Sequence, residues 1–228
     1  MKKTILTLLV IVSLFLLTVS CKEQMHYKHK GFYDMPRQQA EFVRRFQAIS
    51  QGGKTYGTGF NIVHKGKFYV ITNRHVCDVS KMLKNPNKAV VNGKLLTILK
   101  VWKKHDLCAL STYKKDGLEL AKQDVSPMDK IVLIGHPRGI DLTIREGRII
   151  TEDERVCVGG YYKEFLPLCF KADRISATSY GGNSGSPVLN RWGRVIGVLF
   201  AGNSMYPHEP LIVPYEYLKE FLDTLVKE

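Results

Sequence analysis

Seven residues, Gly181-Gly182-Asn183-Ser184-Gly185-Ser186-Pro187, set a lone hydroxyl on a turn too tight for ordinary side chains. Glycine takes backbone conformations closed to other residues and lets a substrate approach closely. Ser184 is therefore a candidate nucleophile, and the N–H groups of Gly182 and Ser184 are candidate donors to one developing negative charge, an oxyanion hole. A serine hydroxyl attacks poorly at neutral pH unless an oriented base takes its proton, so this chemistry demands a histidine and a carboxylate elsewhere. His75 stands where an apolar strand ends, in Thr72-Asn73-Arg74-His75-Val76-Cys77, and Asp106 leads the apolar run Asp106-Leu107-Cys108-Ala109-Leu110. Each residue alone has a plainer explanation: a loop serine, a surface histidine, an aspartate that merely starts a strand. Their order and their local motifs together single them out.

The elements that must position these groups are short. Gly57–Val63 and Phe68–Thr72 read as two strands around a Lys65-Gly66-Lys67 turn, and apolar alternations broken by Gly, Asn, Asp and Pro recur at roughly ten-residue intervals. Further strands are expected at Lys130–Gly135, Leu142–Thr151, Arg155–Gly159, Leu168–Ala172, Pro187–Leu189 and Val195–Phe200. Tyr217, Leu218, Phe221, Leu222 and Leu225 recur at helical spacing, which predicts a closing helix over 215–227. A second, shorter amphipathic helix is expected over Gln38–Phe46.

The chain order His75, Asp106, Ser184, with Gly-x-Gly-Phe before a strand and Thr-Asn-Arg-His-Val after it, resembles the trypsin-like serine peptidases. Gly-Asn-Ser-Gly-Ser-Pro is similar to the bacterial glutamyl-endopeptidase-like branch and, less closely, to the Deg-type proteases. The resemblance runs from about Gln51 to the end and includes Val132–Gly139, which looks like the first strand of the second barrel. It implies an all-β fold of two packed antiparallel six-stranded β-barrels with a C-terminal helix. Barrel one would span about 54–120, barrel two 128–214 and the helix 215–227. The implied activity is peptide-bond hydrolysis through an acyl-enzyme on Ser184, with a polypeptide as substrate and no metal or cofactor. A retained fold that serves as a surface binding module is the alternative.

The same resemblance assigns the substrate pocket to Thr178, Ser179, Leu199, Phe200 and Gly202. Leu199 stands where glutamyl endopeptidases carry a histidine, so a buried glutamate would lack a partner and cleavage after an uncharged side chain is expected. Asn183 replaces the aspartate that grips a new amino terminus in digestive proteases, which argues against activation by that route. The implied fold also brings Cys77 to Cys108, each two residues beyond His75 or Asp106, and sets Cys157 across a hairpin from Cys169. Two disulfides are therefore expected. His105 is expected on the opposite strand face from Asp106, His136 in a turn, and His26, His29, His64 and His208 in solvent.

Lys2 and Lys3 precede an uncharged, mostly apolar run from Ile5 to Val19, the pattern of a secretory signal over 1–20, too short for the roughly 20 residues of a membrane-spanning helix. Val19-Ser20-Cys21 resembles a lipobox, which implies lipidation of Cys21, a membrane tether over 21–50 and a protein exported to the periplasm or cell surface. A net charge of +13 suits attraction to an anionic envelope surface. Nucleic acid is excluded as a partner, because nothing matches a groove-reading helix or a base-stacking sheet. None of the cysteines has the short paired spacing of a zinc site.

Overall fold

The computed structural model describes residues 35–50, 53–80, 87–122, 125–158, 168–202 and 208–227. The expected signal, Cys21, His26 and His29 lie outside the described residues. Helical residues 35–40 (α1) precede β1 (Val43–Ser50), β2 (Gly53–His64), β3 (Lys67–Asn73) and a short α2 (Arg74–Ser80). β4 (Lys88–Val91), β5 (Lys94–Trp102), β6 (Leu107–Leu110) and β7 (Leu118–Glu119) complete the first half. The second half holds β8 (Lys130–Gly135), β9 (Thr143–Val158), β10 (Leu168–Ile175), β11 (Pro187–Asn190), β12 (Val195–Ala201), β13 (Leu211–Pro214) and α3 (Tyr215–Val226).

β2 and β3 form the expected hairpin, turning through Lys65 and Gly66 at φ 48° and 76°, the paired left-handed geometry of a two-residue turn. The first sheet runs β1-β4-β5-β6-β3-β2-β7, and pairing of β1 with β2 brings it round on itself. This corrects the helix expected over Gln38–Phe46. Helix stops at residue 40, and Val43–Ser50 pairs with β2 over its whole length, from Val43 opposite Phe60 to Ser50 opposite Gly53. An unpaired β2 edge offers eight backbone partners, and that tertiary pairing outweighs a local pattern equally compatible with a helix. The first half-sheet therefore begins at β1, ahead of the expected residue 54.

The second half closes as a six-stranded barrel, β10-β13-β12-β11-β8-β9. β9 is one strand of 16 residues where two were expected. Its first half pairs with β8 and its second half with β10, and Asp153, at φ 55°, sits near the register shifts that bend it. The polar Glu152-Asp153-Glu154 run thus marks a bulge within one strand. Disulfides join Cys77 to Cys108 and Cys157 to Cys169, the pairings the resemblance implied.

One apolar cluster spans both halves, joining Phe60, Ile62, Ile71 and Leu107 to Val132, Ile134, Leu189 and Val198. α3 covers it with Leu218, Phe221, Leu222 and Leu225, the i, i+3, i+4, i+7 face legible in the sequence. His64, expected in solvent, instead lies 2.8 Å from Asp223 of α3. Lys65, His64 and Lys219 together hold the Asp223 carboxyl well below the usual carboxylate range. They clip the β2–β3 turn onto α3.

His105 departs furthest from expectation. It is 1 % exposed, stacked at 3.8 Å on Tyr217 and flanked edge-on by Trp102 at 4.5 Å and Phe170 at 5.4 Å. Residues 103–105 form a single tight helical turn rather than strand, which rotates the imidazole inward. Burial first, and the Lys104 charge second, push its pKa from the ordinary 6.5 down to about 4. The unfolded chain binds this proton more readily than the folded one, so the associated stability is whole above pH 6.5 and drains away as pH falls toward 4. The expected loss is about 3 kcal/mol. Urea unfolding at pH 7 and pH 4 checks this: His105→Phe should be spared that loss, and equal acid sensitivity of the two proteins would refute it.

Candidate active site

Asp106 is shaped by the chain around it. The tight turn at 103–105 delivers it in left-handed backbone geometry, φ 54°, uncommon for a residue with a side chain. Its carbonyl oxygen accepts hydrogen bonds from Asn73 Nδ2 (3.2 Å) and the Arg74 N–H (2.9 Å). Its carboxylate accepts the His75 N–H on Oδ1 at 3.0 Å and meets His75 Nδ1 on Oδ2 at 2.7 Å. Asp106 thus satisfies the first two amides of α2, which have no partner within their own helix. The same contacts fix the imidazole's orientation. Asp106's side chain is nearly buried while that of His75 is about one-quarter exposed, so the imidazole is anchored on a dry carboxylate and keeps part of its surface in solvent. The Cys77–Cys108 bridge ties α2 to β6, two residues beyond His75 and Asp106 respectively.

The Ser184 turn is seated against β2, one residue after the expected Gly57. The Thr58 N–H donates to the Ser184 carbonyl at 2.8 Å, and its hydroxyl donates to the Gly182 carbonyl at 2.8 Å while accepting from the His136 N–H at 3.0 Å. Thr72, three residues before His75, donates its hydroxyl to the Thr58 carbonyl at 2.6 Å. Thr58 therefore links the Ser184 turn to β3, the strand that leads into the helix carrying His75. Sequence reasoning missed it, since a threonine in a strand carries no signal of its own.

Gly182 and Gly185 hold φ of +96° and +87°, as the sequence required. Around them the amides of Asn183, Gly185 and Ser186 donate to Tyr180, Leu199 and Asn183 carbonyls. Among the described residues the Gly182 and Ser184 amides have no such acceptor. On the other side the Arg138 N–H donates to the Gly181 carbonyl, and its guanidinium lies over the Tyr180 ring at 4.8 Å.

The expected pocket residues separate into two sets. Leu199 and Phe200 are 2 % and 5 % exposed; Leu199 packs with Ile131, Leu133 and Ile212 inside the barrel, and Phe200 against Phe170. Ser179 is likewise buried, at 6 % exposed, Thr178 is half-buried and Gly202 is exposed; a Cβ added at Gly202 would lie 3.9 Å from both Ser179 Oγ and Pro210 Cβ. His208, expected in solvent, is exposed but hydrogen-bonded, its Nδ1 2.8 Å from Thr178 Oγ1. His136 keeps to its expected turn, with Nδ1 3.1 Å from the Ile140 carbonyl. Among the described residues no three His, Cys, Asp or Glu side chains gather as metal ligands.

Known proteins resemble this chain in sequence and in fold. HtrA-like serine proteases of two Staphylococcus aureus strains, bovine RF122 / ET3-1 and USA300, are each 32% identical to the chain over 160 residues, 64% of its length. The chain spans about a fifth of the length of these relatives, which cover it over 20% of their own sequence. The active form of the Rv3671c protease from M. tuberculosis superposes with a TM-score of 0.65 at 20% identity, over 80% of this chain and 79% of that one. The serine endoprotease from Yersinia pestis gives 0.64 at 19% identity, over 86% of this chain and 67% of that one. These likenesses show the chymotrypsin-like fold. A family model described as "Trypsin-like peptidase domain" matches residues 57–198, from the strand that seats the serine turn to the strand beside it, and the chain belongs to that family.

Proposed function

We propose that the chain is a serine endopeptidase in which Ser184 is the nucleophile, His75 the base and Asp106 its orienter. The observation that carries this reading is the double grip of Asp106 on His75, through the backbone N–H and Nδ1 at once, which holds Nδ1 as the protonated nitrogen and leaves Nε2 to take a proton. Ser184 Oγ attacks the scissile carbonyl carbon as its proton passes to His75 Nε2. The tetrahedral oxyanion is received by the Gly182 and Ser184 amides, a contribution of about 3 kcal/mol for each donor. His75 then protonates the leaving amine, and water, activated by the same imidazole, hydrolyses the acyl-enzyme. Gly182 and Gly185 matter here because their left-handed backbone shapes the turn that leaves the Gly182 and Ser184 amides without a backbone acceptor among the described residues.

We place this domain outside the cytoplasm, tethered through a lipid on Cys21. The leader pattern of residues 1–21 and the two disulfides, which persist in oxidising compartments, support that placement. A fluorophosphonate probe tests the chemistry. It is expected to label the wild-type protein on Ser184 and to leave Ser184→Ala unlabelled; a folded wild type that resists the probe would mark a binding module instead.

A further inference from the structure

The pair formed by His208 and Thr178 has no part in the proton relay, yet it lies on the stretch of chain that runs into the Ser184 turn. Residues 178–180 lead directly into the Ser184 turn, with the Tyr180 carbonyl accepting from the Asn183 N–H at 3.0 Å. On the opposite side, β12 is bonded to the same turn: the Gly185 N–H donates to the Leu199 carbonyl at 2.8 Å and the Leu199 N–H to the Ser186 carbonyl at 2.9 Å. Thr178, Ser179 and Gly202 therefore flank the reacting serine. Gly202 is exposed and stands next to Ser179 and Pro210, which an added Cβ would touch at 3.9 Å. His208 lies just ahead of β13, with its Nδ1 2.8 Å from Thr178 Oγ1.

We infer that His208, oriented by Thr178, reads the substrate side chain preceding the cleaved bond, and that the chemistry it selects is a terminal carbonyl oxygen, carboxamide or carboxylate. This rests on the peptidase reading above. The hydrogen bond between Thr178 Oγ1 and Nδ1 occupies one ring nitrogen, and among the described residues Nε2 has no partner. With the threonine hydroxyl donating, the neutral imidazole carries its proton on Nε2 and offers one directed N–H to an incoming oxygen. Leu199, where glutamyl endopeptidases carry a histidine, is buried in the barrel core, whereas the imidazole of His208 comes from just ahead of β13 and meets Thr178. Charge around it is balanced rather than strongly cationic: neighbouring Glu209 lies 3.7 Å from Arg174 of β10, which is itself doubly bonded to Glu154 of β9. Recognition therefore depends on a hydrogen bond, and not on a net field.

The test uses peptides that differ only at the residue before the scissile bond, offering Gln, Glu, Met, Leu or Lys. Met is close to Gln in length and shape but cannot accept this hydrogen bond. Wild-type kcat/KM is expected to favour Gln, Glu or both over Met by about tenfold, since a site built around a hydrogen bond discriminates against a substrate that leaves it unmade. The Gln-to-Glu comparison shows which form of the oxygen is taken. His208→Ala and Thr178→Val should each bring the Gln-to-Met ratio to about one, a readout internal to each variant and so independent of how much of it folds. A wild type that the probe labels but that cleaves the Met or Leu peptide as well as the Gln and Glu peptides overturns this inference and leaves the peptidase standing. So does a ratio that neither substitution moves. A wild type that is neither labelled nor able to cleave any of the five overturns both.

Discussion

Asp106→Asn is expected to lower kcat about 10⁴-fold without unfolding the protein. Both carboxylate oxygens are committed to one residue, Oδ1 to the His75 N–H and Oδ2 to Nδ1. A carboxamide has a single acceptor. If its oxygen keeps the His75 N–H, its NH2 group confronts Nδ1, and the imidazole must move its proton to Nε2, where it can no longer accept one from Ser184. If the amide turns over, α2 loses its first side-chain acceptor, at about 1 kcal/mol, and the imidazole keeps its tautomer but not the negative charge that stabilises its protonated form. The fold survives either way, because the Asn73 and Arg74 bonds go to the Asp106 carbonyl, which the substitution leaves in place. Single-turnover cleavage and fluorophosphonate labelling rates measure the effect. A fall of less than about tenfold, with unfolding unchanged, would show that Asp106 serves α2 rather than the base.

What could be read from the chain, and what could not, follows from how local each signal is. Lys65-Gly66 between two apolar runs specifies its hairpin without help from the rest of the molecule, and the α3 face is written in four residues at helical spacing. The meeting of His75 with Asp106 became legible through resemblance, and the Cys77–Cys108 pairing came with it. β1 did not, because Gln38–Phe46 fits a helical period and its fate is decided by an unpaired edge in β2. His105 was misplaced for a related reason: strand alternation put it outward, whereas the turn at 103–105 breaks that alternation and drives it among Trp102, Phe170 and Tyr217. His208 and Thr178 are thirty residues apart. No spacing rule joins them, and they meet only because β10 and β13 are neighbours in the closed barrel.

Gly185→Ala should be the most damaging single methyl group in the molecule's active half, costing about 4 kcal/mol or more and abolishing labelling by the probe. Two effects coincide there. The residue holds φ +87°, which an L side chain rarely adopts, and a Cβ built on it would lie 2.0 Å from the Thr58 carbonyl oxygen and 2.2 Å from Thr72 Oγ1. Those two atoms are already hydrogen-bonded to each other, so the methyl would land on the contact that fastens β2, the seat of the serine turn, to β3, the strand leading into the helix of His75. The turn can escape only by lifting away from β2, which surrenders the Thr58 bonds to Ser184 and Gly182 as well. Thr72→Ala should not rescue it, because the closer clash is with backbone. Gly181→Ala provides the contrast: an added Cβ meets nothing within 4 Å and the backbone is not left-handed, so denaturant unfolding should shift by no more than about 0.5 kcal/mol. If the two substitutions proved equally mild, the turn would be held by something other than its seat on Thr58, and the tie between the Ser184 turn and β3 would have to be sought elsewhere.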